Sequence, residues 1–314
     1  AGVPAERLHI LANPVEATPP SDHSEASKIL AALKTERLIL YPVRAVRRKN
    51  FGEMLLWAAM AEAGDVFATT LGPTNQNYLS AYQDWQDFAQ RHRLPVQFGI
   101  GECHDWSFEA IMGSAHSILS TSIAEGFGLA FLEPWLFGKA IRGRDLPDIT
   151  ADFKTKGIEL DGLYPSLPIP AEWIDRDQLA NAIREGLSAA YTTYGKPLPK
   201  NALDRAFDAI SPQPGQIDFG GLNEALQKNV IERVLTDATA RNALPRLDEL
   251  NDLTFIENNA HKVMGIYGLS RYAENLIHIY ASIEPGPGEA TQYLDPAKIL
   301  DGFLLPERFR LLRT

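Results

Sequence analysis

A series of short, continuous apolar runs separated by amphipathic stretches constrains the fold of this chain more than any other feature. The first run is Arg37-Leu38-Ile39-Leu40-Tyr41-Pro42-Val43-Arg44, and others follow at 65–71, 95–101, 117–122 and 139–143. Runs of this length that do not alternate with polar residues belong to strands buried on both faces of a parallel sheet. Helical periodicity at 51–63, 75–92 and 107–113 fills the intervals. The economical arrangement is a right-handed βαβ series, an α/β Rossmann-like fold with a parallel sheet flanked by helices. Ligands of such sheets bind beyond the carboxyl ends of the strands, so the segments after each run are the places to search.

The segment after the 117–122 run carries Glu125-Gly126-Phe127-Gly128-Leu129 and then Glu133. Gly126 and Gly128 let the backbone turn tightly and come close to a ligand. An amphipathic helix is expected from 127 or 128 to 138. Its first amides would lack intrahelical partners at the positive end of the dipole, which suits a phosphate or a sugar hydroxyl. On a helix, Glu125 and Glu133 would stand about 10 Å apart. That suits the two ends of an extended ligand better than a shared metal. Taken singly, the two are equally a carboxylate favoured by the helix dipole and a solvated helix residue. After the first run, Arg44, Arg47, Arg48 and Lys49 crowd one turn, a density of cations that suits a focal phosphate site and equally a solvated basic turn before a helix. Arg47 and Arg48 read better as a solvated basic turn.

The rest of the chain bounds the alternatives. Its 314 residues are 45% hydrophobic and 22% charged, enough for a full core, with a formal net charge of -10. That balance speaks against nucleic acid or an anionic membrane surface as the main partner, so phosphate affinity must be focal. No apolar run reaches membrane-spanning length. Cys103 is the sole cysteine, which excludes an intramolecular disulfide and fits a cytoplasmic, reducing setting. From 158 to 174 the chain reads as loop or edge structure and 216–221 as a turn. Helical periodicity at 177–191, 200–210, 222–237 and 247–256 forms an added annex, and the 257–280 stretch is helical. A Pro/Gly breaker at 284–288 precedes an apolar tail with Arg308, Arg310 and Arg313, expected to dock on another domain.

Glu125 and Glu133, at Glu-x7-Glu spacing around the glycine turn, resemble the signature of retaining glycosyltransferases of GT-B architecture, family 4 in particular. The resemblance implies site roles. Arg44 and Lys49 would grip the donor diphosphate and stabilise charge on the leaving group without a metal or cofactor. The backbone of Ile100 and Gly101 would read the nucleotide base. Glu125, Gly126, Phe127, Gly128 and Leu129 would hold the hexose and phosphates, and Glu133 the ribose. It also implies that the chain is the C-terminal, donor-binding half of an enzyme. On that reading 1–35 is a hinge and connector, 36–283 the nucleotide-sugar domain with a helical insertion at 177–256, and 284–314 a tail. The acceptor-binding domain would lie upstream. The sequence departs from the family at Thr121-Ser122, at Arg142-Gly143-Arg144-Asp145 and at Pro134. Pro134 should kink or shorten the helix. A dinucleotide dehydrogenase is the rival raised by Gly126 and Gly128, but Phe131 occupies its third glycine position. A GT-B-like epimerase or phosphorylase, or a non-enzymatic nucleotide-sugar-binding subunit, are the other readings.

Overall fold

A computed structural model describes residues 8–16, 23–247, 252–283 and 295–313. The breaker at 284–288 and part of the expected 247–256 helix lie outside the described residues. The strands are β1 (Arg37–Arg44), β2 (Asp65–Leu71), β3 (Val96–Gln97), β4 (Ser117–Ser120), β5 (Ile141–Arg144) and β6 (Leu163–Tyr164). They form one parallel sheet in the order β3-β2-β1-β4-β5-β6, the doubly wound order of dinucleotide-binding folds. An antiparallel pair, β7 (Pro168–Pro170) and β8 (Gln216–Asp218), stands apart.

In chain order the helices are α1 (His23–Leu33), α2 (Phe51–Ala59), α3 (Leu79–Arg91), α4 (Ile100–Cys103), α5 (Phe108–Ser114), α6 (Glu133–Leu136) and α7 (Pro147–Thr155). They continue with α8 (Arg176–Thr193), α9 (Ala202–Asp208), α10 (Glu224–Thr236), α11 (Ala238–Ala243), α12 (Leu253–Tyr267), α13 (Leu269–Ser282) and α14 (Pro296–Phe303). Successive strand residues face opposite sides of the sheet. Leu38, Leu40, Ala68, Ile118 and Ile141 pack with α1, α5, α6, α7 and α12. Ile39, Tyr41, Val43, Phe67 and Leu119 pack with α2, α3, α8, α9 and α10. The continuous apolar runs are thus explained by burial on both faces, and the helices expected as an annex supply much of one cover. α8 shows why they form. Asp175 caps it by accepting from the amides of Asp177 and Gln178, and Leu179, Ile183, Leu187 and Tyr191 repeat every fourth residue on its buried face.

Several elements differ from the sequence expectation. β3 is two residues long, because the backbone turns at Gly99 (φ 67°) and Ile100 already opens α4. β4 stops at Ser120. The 216–221 turn holds β8 and then a 3-10 turn, Phe219–Gly221. The helix expected over 127–138 is instead a 3-10 turn, Leu129–Phe131, and the four-residue α6. Gly128 enters that turn at φ 91°, and Pro134 in the first turn of α6 cannot donate a hydrogen bond back to the preceding turn.

The tail crosses back over α8 and α9 of its own chain. Tyr191 Oη donates to the Leu304 carbonyl at 2.6 Å and Arg205 pairs with Glu307 at 2.5 Å. The ring of Phe309 fills the space where a residue larger than Gly186 would place its Cβ. Among the described residues, no helix is long and apolar enough to cross a membrane.

Candidate functional site

The strand order reverses between β1 and β4, which leaves a crevice beyond their carboxyl ends. The loops leaving these two strands are stitched together there. The Ile123 amide donates to the Arg48 carbonyl at 2.9 Å, and Thr121 Oγ1 donates to the carbonyls of Lys49 (3.1 Å) and Asn50 (3.0 Å). Tyr41 Oη, on β1, bonds the Lys49 carbonyl at 3.0 Å and Ser122 Oγ at 2.6 Å. Asn50 is buried with φ 54°, and it turns the chain from a 3-10 turn, Arg47–Lys49, into α2. Its side chain is held by Glu53 (2.8 Å) and Gln227 (2.8 Å). Asparagine tolerates this left-handed backbone better than most residues.

These contacts set Lys49 Nζ against the carboxylate of Glu125 as a direct ion pair. Arg48 joins it, donating from Nη1 to Glu125 Oε2 at 3.2 Å and to the Ala124 carbonyl at 2.9 Å. Burial pushes the Lys49 ammonium below its ordinary pKa, and the adjacent Glu125 restores part of the loss. For Glu125, burial opposes ionisation. The charge and hydrogen bond of Lys49, the Ser122 hydroxyl and the Arg48 charge outweigh it and hold the carboxyl below its usual range.

The pair opens into a cleft of about 460 Å³ lined by Arg44, Lys49, Glu125, Gly126, Phe127, Gly128, Leu129 and Glu133, with Asn13, Arg48 and Met112. Arg44 is exposed at the end of β1, with no side-chain hydrogen bond or ion pair among the described residues. Glu133 is half-buried and likewise has no hydrogen-bond partner among them, so burial raises its pKa. The amides of Gly126, Phe127 and Gly128 donate to no group among the described residues. The cleft therefore offers an unpaired cation, an unpaired half-buried carboxylate and a row of backbone donors around a preformed ion pair.

The two glycines differ. A Cβ on Gly126 would meet nothing within 4 Å, whereas one on Gly128 would lie 2.6 Å from Ile149 at φ 91°. Gly128 is needed for packing, and Gly126 keeps the cleft floor open. Phe127 holds the turn edge-on to Phe153 (5.8 Å) and Tyr267 (6.0 Å).

The switch point thus brings eight of the ten sequence-derived residues into one cleft; Ile100 and Gly101 are not among its walls. They open α4 beyond β3, where the Ile100 side chain is buried in the core on the α1–α5 side of the sheet. The helix-dipole argument for this turn does not hold, since α6 has four residues; loop amides take its place. A further expectation is corrected: Arg47 makes a bidentate pair with Glu224 of α10 (2.7 and 3.0 Å). Arg48 is exposed, as a solvated turn requires, and from there also reaches Glu125. Single-residue reading could not name either partner, because they lie 177 and 77 positions away.

No family model matches the chain. A curated relative, mannosylglucosyl-3-phosphoglycerate synthase of Petrotoga mobilis, is 27% identical over 165 residues, covering 49% of this chain and 32% of that protein. The chain thus spans less than half the length of that relative. HepE of Anabaena, solved with UDP and glucose, aligns with a TM-score of 0.50 at 13% identity, covering 90% of this chain and 59% of that one. The C-terminal domain of a glycosyl transferase group 1 family protein (LpcC) from Francisella tularensis aligns at a TM-score of 0.41 and 13% identity, covering 81% and 99%. The fold is glycosyltransferase-like. In this glycosyltransferase-like fold the Lys49–Glu125 cleft sits beyond the two strands at which the sheet reverses direction.

Proposed function

We propose that the chain is the donor-binding region of a retaining, metal-independent hexosyltransferase of the family 4 type, acting in the cytoplasm on an acceptor held by an N-terminal domain. The observation that carries this reading is the convergence of Arg44, Lys49, Glu125, Glu133 and the Gly126–Gly128 amides on one cleft. Arg44 meets the donor diphosphate with a free guanidinium, and the loop amides add donors where negative charge grows on the leaving group. Lys49 is neutralised by Glu125 and exchanges part of that contact for phosphate oxygens. Glu125 then accepts from the sugar hydroxyls and Glu133 from the ribose. The acceptor hydroxyl oxygen forms the new bond to the anomeric carbon as the bond to the diphosphate oxygen breaks on the same face. The electron pair leaves with the nucleotide diphosphate, and the hydroxyl proton passes to its phosphate oxygen. The base would pack near α4, against Ile100 and Gly101. The UDP and glucose in the HepE structure support a nucleotide-sugar donor.

Calorimetric titration with UDP, GDP, ADP and their hexose conjugates, beside NAD, tests the reading. One nucleotide series should saturate, and Arg44→Ala and Glu133→Ala should each weaken it about tenfold or more. Binding of NAD alone, or nucleotide binding indifferent to both variants, would overturn it.

A further inference from the structure

Glu125 and Gly126 also line a second cleft of about 800 Å³, whose other walls are the start of α7, the 208–212 loop and the tail from Glu307 to Arg313. Most charges facing it are already matched. Arg144 is held by Glu53 and Asp218, Arg308 by Asp148 (2.9 Å), Asp145 by Lys154 (2.6 Å) and Glu307 by Arg205 (2.5 Å). Arg310, Arg313 and the exposed Asp208 are left over.

Arg310 is the unusual one. It is half-buried, and its Nη1 donates to the carbonyls of Glu307 (2.9 Å) and Phe309 (2.7 Å). Among the described residues no carboxylate lies within ion-pair distance of it. Burial lowers its pKa; the charges of Arg144 and Arg313 add to this, and Asp218 opposes it. A desolvated guanidinium without an anion is unfavourable, and its remaining N–H donors form a fork suited to a planar or tetrahedral oxyanion.

We propose that this second cleft is an anion subsite for the acceptor. Arg310, with Arg313, holds a phosphate or carboxylate group of an acceptor whose remainder the N-terminal domain holds, and so orients it at the Glu125–Gly126 edge common to both clefts. The inference rests on the reading of the Glu125 turn as the donor site, but its test is separate. The full chain is titrated calorimetrically with glycerol 3-phosphate, glycerate and glycerol, and in parallel with UDP. At least one of the two anions should bind saturably and glycerol should not; whichever anion binds tighter identifies the group recognised. Arg310→Gln and the exposed Arg313→Gln should each weaken that binding about tenfold. Arg44→Ala should leave it unchanged, and UDP affinity should survive both tail substitutions. Absence of saturable anion binding, or binding that Arg44→Ala weakens and the tail variants do not, would overturn the proposal. Anion binding that behaves as expected in a chain that fails to bind UDP would count against the donor reading alone.

Discussion

The molecule holds two carboxylate–cation clusters at the carboxyl edge of its sheet, and they are built to opposite ends. In the first, Glu53 is fully buried and accepts from Arg144, from Tyr164 Oη (2.7 Å) and from Asn50 Nδ2 (2.8 Å), while Arg144 also grips Asp218 at 2.8 Å. Trp57 Nε1 closes the network by donating to Tyr164 at 2.9 Å. Burial pushes Glu53 up against the pull of Arg144; for Arg144 burial is outweighed by Asp218 and Glu53, which raise it well above its ordinary value. In the second, Lys49 and Glu125 meet at the edge of an open cleft beside Arg44 and Glu133, two charges without partners among the described residues. The sealed cluster ties α2, β5, β6 and β8 together and matches the charges of Glu53 and Arg144 within itself. The open one gives up some stabilisation and keeps groups that a ligand can complete.

The largest effect that would sharpen this contrast is expected at Arg144. Arg144→Met leaves the fully buried Glu53 and the partly exposed Asp218 without a counter-charge and should cost about 3–5 kcal/mol of unfolding free energy. Lys49→Met should cost about 1.5–3 kcal/mol, the range for hydrogen bonds to charged groups. Urea unfolding followed by circular dichroism compares the two; equal costs would erase the distinction between sealed and open pairs.

A smaller effect separates the two glycines of the cleft floor. Gly128→Ala forces a side chain against Ile149 in a left-handed backbone, an overpacking cost of about 1–3 kcal/mol. Gly126→Ala enters open space, so it should leave thermal stability almost unchanged while weakening donor binding by filling the floor. Thermal melts beside nucleotide titration check both, and a Gly126→Ala chain that melts as early as Gly128→Ala would contradict the assignment.

The smallest effect is a pH dependence. The folded pKa of Glu133 is raised by burial, so its contribution to stability is present below the unfolded pKa and is lost as pH rises through the folded value. At neutral pH the ionised Glu133 weighs slightly against the fold, and Glu133→Gln should be neutral or mildly stabilising. Nucleotide affinity should follow the opposite sign, falling as acid protonates Glu133 somewhat above ordinary carboxylate pH, with Glu133→Gln removing that step. Glu125 is depressed, so its stabilisation is present above the unfolded pKa and is lost only as pH falls through a lower value. Affinity and stability measured across the acid range in both chains separate the two carboxylates; an acid step in affinity that persists in Glu133→Gln belongs to another group.

Much of this was readable in the sequence. The unbroken apolar run at Leu38–Tyr41 has the length and composition of a two-sided strand, and the glycine-bracketed turn after β4 pointed to the candidate cleft because doubly wound sheets place ligands there. The parts that escaped were decided by distant partners. Nothing local to Arg47 announces Glu224, and nothing local to Arg144 announces Glu53, because each pair is formed by helices and strands that meet only in the folded chain. The helix after Gly128 was misjudged for a local reason: its periodicity is apolar enough, but Pro134 and the positive φ of Gly128 break it into two short turns.

The central claim, that a donor binds in the cleft between the loops leaving β1 and β4, is tested most directly by amide hydrogen exchange with and without UDP-glucose. The account predicts that the amides of Gly126, Phe127 and Gly128, which have no acceptor among the described residues, become protected together with the 44–50 loop. Protection confined to other regions, or none at a UDP-glucose concentration that saturates binding, would contradict it.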